Sequence, residues 1–203
     1  LCACGAPAAL CAARSTRTLG VIVSKVVNIL FLVAMFVAPI STQAQVLAPP
    51  INFDCDATPG YASSWTTGIR SPDLRVQGTI QFIRLRDHFN WAPGATILLI
   101  SKSDVRNGLQ LSRQSRRSVD LLHARIVSTD DPTGRTVLTY PWKGSPLPFS
   151  LTISSSGEVN VTIGDKAASL KVNGLEQDKL VLACSTAHVK FSDIVITSTK
   201  GES

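Results

Sequence analysis

The sequence predicts an all-β fold, a two-sheet antiparallel sandwich preceded by a helical signal segment. Three observations carry that prediction. Beyond the first 44 residues, about ten short segments alternate apolar and polar residues and are bounded by Gly, Pro, Asn, Asp or Ser. No stretch past the leader sustains a helical apolar stripe. Two cysteines, Cys55 and Cys184, fall in the first and in one of the last apolar runs of this part. A chain of 203 residues with 44% hydrophobic and 17% charged residues is long and apolar enough for one cored domain.

Residues 1–44 read as a leader. Lys25 is followed by VVNILFLVAMFVAPI and then Ser41-Thr42-Gln43-Ala44, which gives cleavage before Gln45. Val26 to Ile40 is short for a membrane span, which takes about 20 apolar residues. The membrane therefore enters only through an uncleaved leader. The Ala-rich start, with Cys2, Cys4 and Cys11, reads as over-extended, with the true leader beginning near Val21 or Val23. The leader holds Arg14, Arg17 and Lys25 and no acid, so its removal takes 20 basic residues to 17 against 14 acidic ones and the net charge from +6 to +3. That balance is not a nucleic-acid footprint.

Residues 45–51 contain Ala48-Pro49-Pro50 and read as a linker, 52–198 as the sandwich and 199–203 as a tail. Ile51–Asp56 is the first strand, stopped by Thr58-Pro59-Gly60, and Tyr61–Ser71 reads as a loop or irregular edge. Leu74–Arg86 alternates, with Gly78 marking a bulge. Asp87–Gly94 is a turn region, and Ala95–Ser101 is apolar throughout, as in a strand buried on both faces or central in its sheet. Asn107-Gly108 introduces Leu109–Arg113. Ser118–Ser128 is taken as a strand over a short helix, because flanking strands need a neighbour. Arg135–Trp142 follows the turn at Asp130–Gly134. Phe149–Ser154, Glu158–Ile163 and the run ending at Asn173-Gly174 form a meander, and Lys179–Thr197 supplies two closing strands joined at Ser185–Ala187.

Once the leader is removed, Cys55 and Cys184 are the only thiols, and their pairing would clasp the first strand to the closing ones. An even pair behind an export signal places the product in an oxidising compartment: secreted, periplasmic or at the cell surface.

The segment PFSLTISSSGEVNVTIGDKAASLKVNG, with Lys171-Val172-Asn173-Gly174, and the later run Phe191-Ser192-Asp193-Ile194-Val195-Ile196 resemble the concanavalin A-like lectin/glucanase superfamily, in particular its laminin-G-like jelly rolls. They cover about a third of the part beyond the leader. The resemblance implies a jelly-roll sandwich used for sugar binding, glycoside hydrolysis, adhesion or structure. Some members carry a structural Ca²⁺; here Asp54, Asp56 and Asp193 could supply its oxygens, with ordinary strand-end carboxylates as the alternative.

Catalytic motifs are missing. Hydrolysis of a glycoside needs two carboxylates about 5–10 Å apart. The Glu-x-Asp-x-(x)-Glu string that the resemblance would lead one to expect is not present, and the only glutamates are Glu158, Glu176 and Glu202. There is no Gly-x-Ser-x-Gly elbow, and His88, His123 and His188 lack ligand spacing. Two features remain for binding. Trp65, Trp91, Tyr140 and Trp142 are candidate sugar platforms, buried core being the alternative. Arg113, Arg116 and Arg117 crowd into LSRQSRRS and suit an anionic polysaccharide, a solvated loop being the alternative. The sequence therefore points to an exported, non-catalytic carbohydrate-binding or surface-interaction module with no cofactor. An envelope structural protein without a small ligand comes next, then an unusual glycosidase.

Overall fold

A computed structural model describes residues 44–113, 121–130, 135–141, 143–173 and 176–198. The leader, the tail, Arg116, Arg117 and Trp142 lie outside the described residues. Twelve strands form: β1 (Gln45–Asp56), β2 (Ala62–Ser71), β3 (Leu74–Leu85), β4 (Gly94–Ser101), β5 (Arg106–Ser112), β6 (Leu121–Ser128), β7 (Arg135–Pro141), β8 (Leu147–Ile153), β9 (Glu158–Ile163), β10 (Lys166–Lys171), β11 (Gln177–Ser185) and β12 (Ala187–Ser198). They make two antiparallel six-stranded sheets, β1-β12-β3-β8-β9-β10 (sheet A) and β2-β11-β4-β5-β6-β7 (sheet B).

The alternation read from sequence is the burial pattern of these strands. Val159, Val161 and Ile163 of β9 are buried, while Glu158, Asn160 and Thr162 face water. Inner-face side chains of both sheets, among them Phe82, Phe191, Leu74, Ile97, Leu99 and Leu122, are fully buried between the sheets. Phe53 of β1 stacks on Phe191 at 5.9 Å between centroids.

The strands depart from expectation at four places. Residues 45–51 are not a linker: they pair with β12 as the first half of β1. Pro49 and Pro50 are accommodated because β1 is an edge strand whose register with β12 shifts on either side of them, where no ladder donor is needed. Of the two alternatives for 61–71, loop or irregular edge, the structure has the edge: residues 62–71 are β2, an edge strand bonded to β11, whose Ser- and Thr-rich sequence shows no apolar alternation. Asn107-Gly108 does not precede its strand but lies within β5, between β4 and β6. The bulge expected at Gly78 is on the partner strand. Asp193 of β12 adopts φ 54°, the register skips between Ser192 and Val195, and a Cβ on Gly78 would come within 2.5 Å of Ile194 Cδ1.

β11 and β12 are joined through Thr186 alone, yet they belong to different sheets. Thr186 has φ 49° and is fully buried. Its N–H donates to Tyr61 O and its carbonyl accepts from Arg86 N–H, both at 3.0 Å, so every polar group of the crossing finds a partner nearby. Next to it Cys55 and Cys184 form the disulfide, Cα atoms 6.0 Å apart, tying β1 of sheet A to β11 of sheet B.

Candidate ligand-binding site

The outer faces of the two sheets differ in chemistry. Sheet A presents Gln77, Thr79 and Gln81 from β3, Ser150 and Thr152 from β8, and Asn160 and Thr162 from β9, a mainly polar surface in which Ile83 and Val195 are aliphatic. On sheet B, residues that alternate with the buried set are aliphatic as well as polar. Leu98 and Ile100 of β4, Val127 of β6 and Val181 of β11 are all half-buried there.

A shallow trough of about 330 Å³ crosses β4, β5 and β6 on this face. Its sides are Leu98 and Val127, and Gly108 sits between them in register. Only glycine fits at 108, since a Cβ would lie 2.0 Å from Ile97 O. Its lack of a side chain keeps the middle of the trough open. One register step away are Thr96, Gln110 and Arg125, paired across the three strands. Arg125 donates from Nε to Gln110 Oε1 at 2.6 Å and has no carboxylate partner among the described residues. Arg106, at the other margin, is held by Asp104, with Nη2 to Oδ2 at 3.0 Å. His123 shares this face of β6 with Arg125 and keeps a buried Nδ1 without a hydrogen-bond partner. Aliphatic sides next to a guanidinium that has no carboxylate partner among the described residues suit a ligand with C–H faces and negative charge.

The predicted site residues scatter. Trp65 is on β2 opposite Leu182, turned toward the core and half-buried. Tyr140 is a core residue rather than a platform, 6% exposed, its hydroxyl donating to Ile163 O. Burial first, and the negative Asp165 second, raise its phenol above the ordinary 10.0, against the backbone hydrogen bond from Lys166. Trp91 is 44% exposed in the connection between β3 and β4. Arg113, only 7% exposed, braces that same connection: its guanidinium pairs with Asp87 and its N–H donates to Pro93 O at 3.1 Å. The structure thus brings Trp91 and Arg113 together, at one end of the sandwich and apart from the trough.

The three aspartates do not assemble a Ca²⁺ cage. Asp54 Oδ1 is 2.6 Å from His188 Nε2, and Asp56 Oδ1 is 2.5 Å from Arg86 Nη2. Asp193 sits at the β12 bulge, its N–H donating to Asn52 Oδ1. Among the described residues no three His, Cys, Asp or Glu side chains gather as a metal site. Each of the two strand-end carboxylates is already matched to a basic group, which a dication would have to displace.

Sequence reading passed over Gln110, Arg125 and Leu98, the centre of the trough. The available signal was the outward set of GLQLS and LLHARIVS, but alternation alone reads such residues as a wet face.

No protein-family model and no curated protein matches the sequence. Solved structures do share the fold. An alginate lyase from Pseudomonas aeruginosa superposes with a TM-score of 0.51 at 14% identity, over 78% of this chain and 87% of that one. The CBM2 module of the evolved Dit of Lactobacillus casei BL23 phage J-1 gives 0.50 at 10% identity, over 66% and 68%. A fructofuranosidase variant from Schwanniomyces occidentalis, complexed with fructosylnystose, gives 0.50 at 11% identity over 80% of this chain, which spans 35% of that enzyme. The shared fold is a two-sheet antiparallel β-sandwich, of the kind that the resemblance to concanavalin A-like jelly rolls implied. At such identities the likeness is one of fold.

Proposed function

We propose that this chain is an exported, non-catalytic carbohydrate-binding module whose trough on sheet B takes an acidic polysaccharide. The observation that carries the proposal is Arg125: a guanidinium oriented by Gln110, without a carboxylate partner among the described residues, beside the aliphatic pair Leu98 and Val127. A uronate or sulfated sugar matches that arrangement, its anionic group on Arg125 and its C–H face on the aliphatics. An alginate lyase and a CBM2 module among the structural neighbours agree with a glycan ligand. Binding is favoured over hydrolysis because no carboxylate lines the trough among the described residues. Export agrees with the leader and with a disulfide, which persists in an oxidising compartment.

The test is calorimetric titration of the full chain, expressed with its leader, against hexagalacturonate. Arg125→Ala should weaken binding by about tenfold or more, with added salt weakening the wild type in parallel. Wild-type protein that ignores acidic oligosaccharides altogether would defeat the proposal. It would favour the second reading, an envelope structural protein without a small ligand, for which the polar outer face of sheet A speaks.

A further inference from the structure

All exposed large aromatics among the described residues lie at one end of the sandwich, on two connections: 57–61 between β1 and β2, and 86–93 between β3 and β4. Tyr61 is 68% exposed and Phe89 78%, with Trp91 two residues further on. His88 joins the two connections. Its ring tilts against Phe89 at 4.6 Å, and it lies so close over Gly60 that a Cβ there would meet Nε2 at 2.9 Å. Gly60, at φ 81°, directly precedes Tyr61.

These connections are held at many points. Tyr61 O accepts from Thr186 N–H, and Gly60 N–H donates to Thr186 Oγ1 at 3.2 Å. Asn90 N–H donates to His88 Nδ1 at 3.3 Å. Ser185 Oγ donates to Ala92 O at 3.1 Å, and Arg113 clamps Asp87 and Pro93. Aromatic side chains on backbone held in this way bind with a smaller ordering cost.

Arg86 is paired with Asp56 and Arg113 with Asp87, so the two guanidinium groups that brace these connections are already matched to a carboxylate. The interleaved polar groups, His88 and Asn90 between Phe89 and Trp91, instead offer hydrogen bonds beside ring faces. That combination fits an uncharged sugar, whose C–H face stacks on an aromatic ring while its hydroxyls take neutral donors and acceptors. We infer that Tyr61, Phe89 and Trp91 form a second glycan site, for a neutral pyranose chain, distinct from the cationic trough. The inference stands on the geometry of this end and holds or fails independently of Arg125.

The experiment titrates the full chain with cellohexaose and, in parallel, hexagalacturonate, following calorimetry and tryptophan emission. Cellohexaose should bind the wild type and shift the emission. Phe89→Ala and Trp91→Ala should each weaken it by about tenfold while leaving hexagalacturonate within about twofold. Arg125→Ala should do the reverse. Phe89 projects far enough into solvent that its variant should keep the wild-type thermal midpoint within about 2 °C, so the test survives even if Trp91→Ala misfolds. Cellohexaose affinity unchanged in Phe89→Ala, or no binding of cello-, xylo- or mannohexaose by the wild type, would overturn the inference. So would phosphatidylglycerol vesicles that capture the wild type and not Phe89→Ala, which would make the patch a lipid contact instead.

Discussion

Replacing both cysteines, Cys55→Ala with Cys184→Ala, should lower stability sharply while leaving the native sandwich intact. The two residues are 129 apart in sequence, so the bond closes nearly the whole domain into one loop of the unfolded chain. In the chain-entropy model a loop of that length contributes about 5 kcal/mol at 25 °C. For a domain of this size each kcal/mol moves the thermal midpoint by about 2–4 °C, so the double variant should melt about 10–20 °C lower. Both cysteines are buried, so a reductant should act slowly on the native protein and quickly once it opens. The assay is calorimetry of wild type and variant, with thiol titration of the unfolded, unreduced product that starts at Gln45 and so lacks Cys2, Cys4 and Cys11. Zero thiols and a midpoint lowered by at least about 10 °C are expected. Two reactive thiols per chain, or a shift under about 3 °C, would refute the reasoning. It would also mean that the junction between β1 and β11 is held by packing rather than by the bond.

Two further outcomes follow from single positions. Gly108→Ala should destabilise by about 1–3 kcal/mol or more, because Ile97 O stands where the new methyl must go; an unchanged denaturant midpoint would show that β4 and β5 part freely there. The phenol of Tyr140, raised by burial and by Asp165, should titrate above 10.0. Its folded value exceeds its unfolded one, so the stability it contributes is present below about pH 10 and is lost as pH rises through the folded value. Absorbance titration of Tyr61→Phe isolates this group, and a phenol that ionises below 10 without loss of structure would count against it.

What could be read from the sequence depended on whether a residue's fate was set by its own strand or by its neighbours. The meander from Phe149 to Lys171 was legible because each strand there has one face turned to the core, buried in β8 and β9 and half-buried in β10, and one wet face, so alternation maps directly onto structure. β2 was not, because an edge strand with a single partner tolerates Ser, Thr and Gly along most of its length. Tyr140 illustrates the limit: two-residue periodicity shows which residues share a face, but not that this face is the one opposite Ile163. Arg125 was illegible for a related reason. Its partner is Gln110 rather than an acid only because β5 lies beside β6, and sheet order is not written in either segment. The exposed end was half legible. Trp91 stood out, but Tyr61 and Phe89, in stretches bare of alternation next to Gly60 and Asn90, carried a signal that was passed over.

The apolar strand Ala95–Ser101 links the fold to the site. Such a run in an antiparallel sandwich would ordinarily need cover on both sides. Here Ala95, Ile97 and Leu99 are buried against sheet A, while Leu98 and Ile100 on the outer face are only half-covered by their neighbours in sheet B. A domain whose sole requirement was to fold could carry Thr or Gln at these outer positions, as β3, β8 and β9 do on sheet A. The aliphatics are kept, a glycine lies between Leu98 and Val127, and a guanidinium with no carboxylate partner among the described residues stands one register step away. Close approach of β4 to β5 accounts for the glycine. The ligand proposed above would account for the other two, by covering the aliphatics and neutralising Arg125.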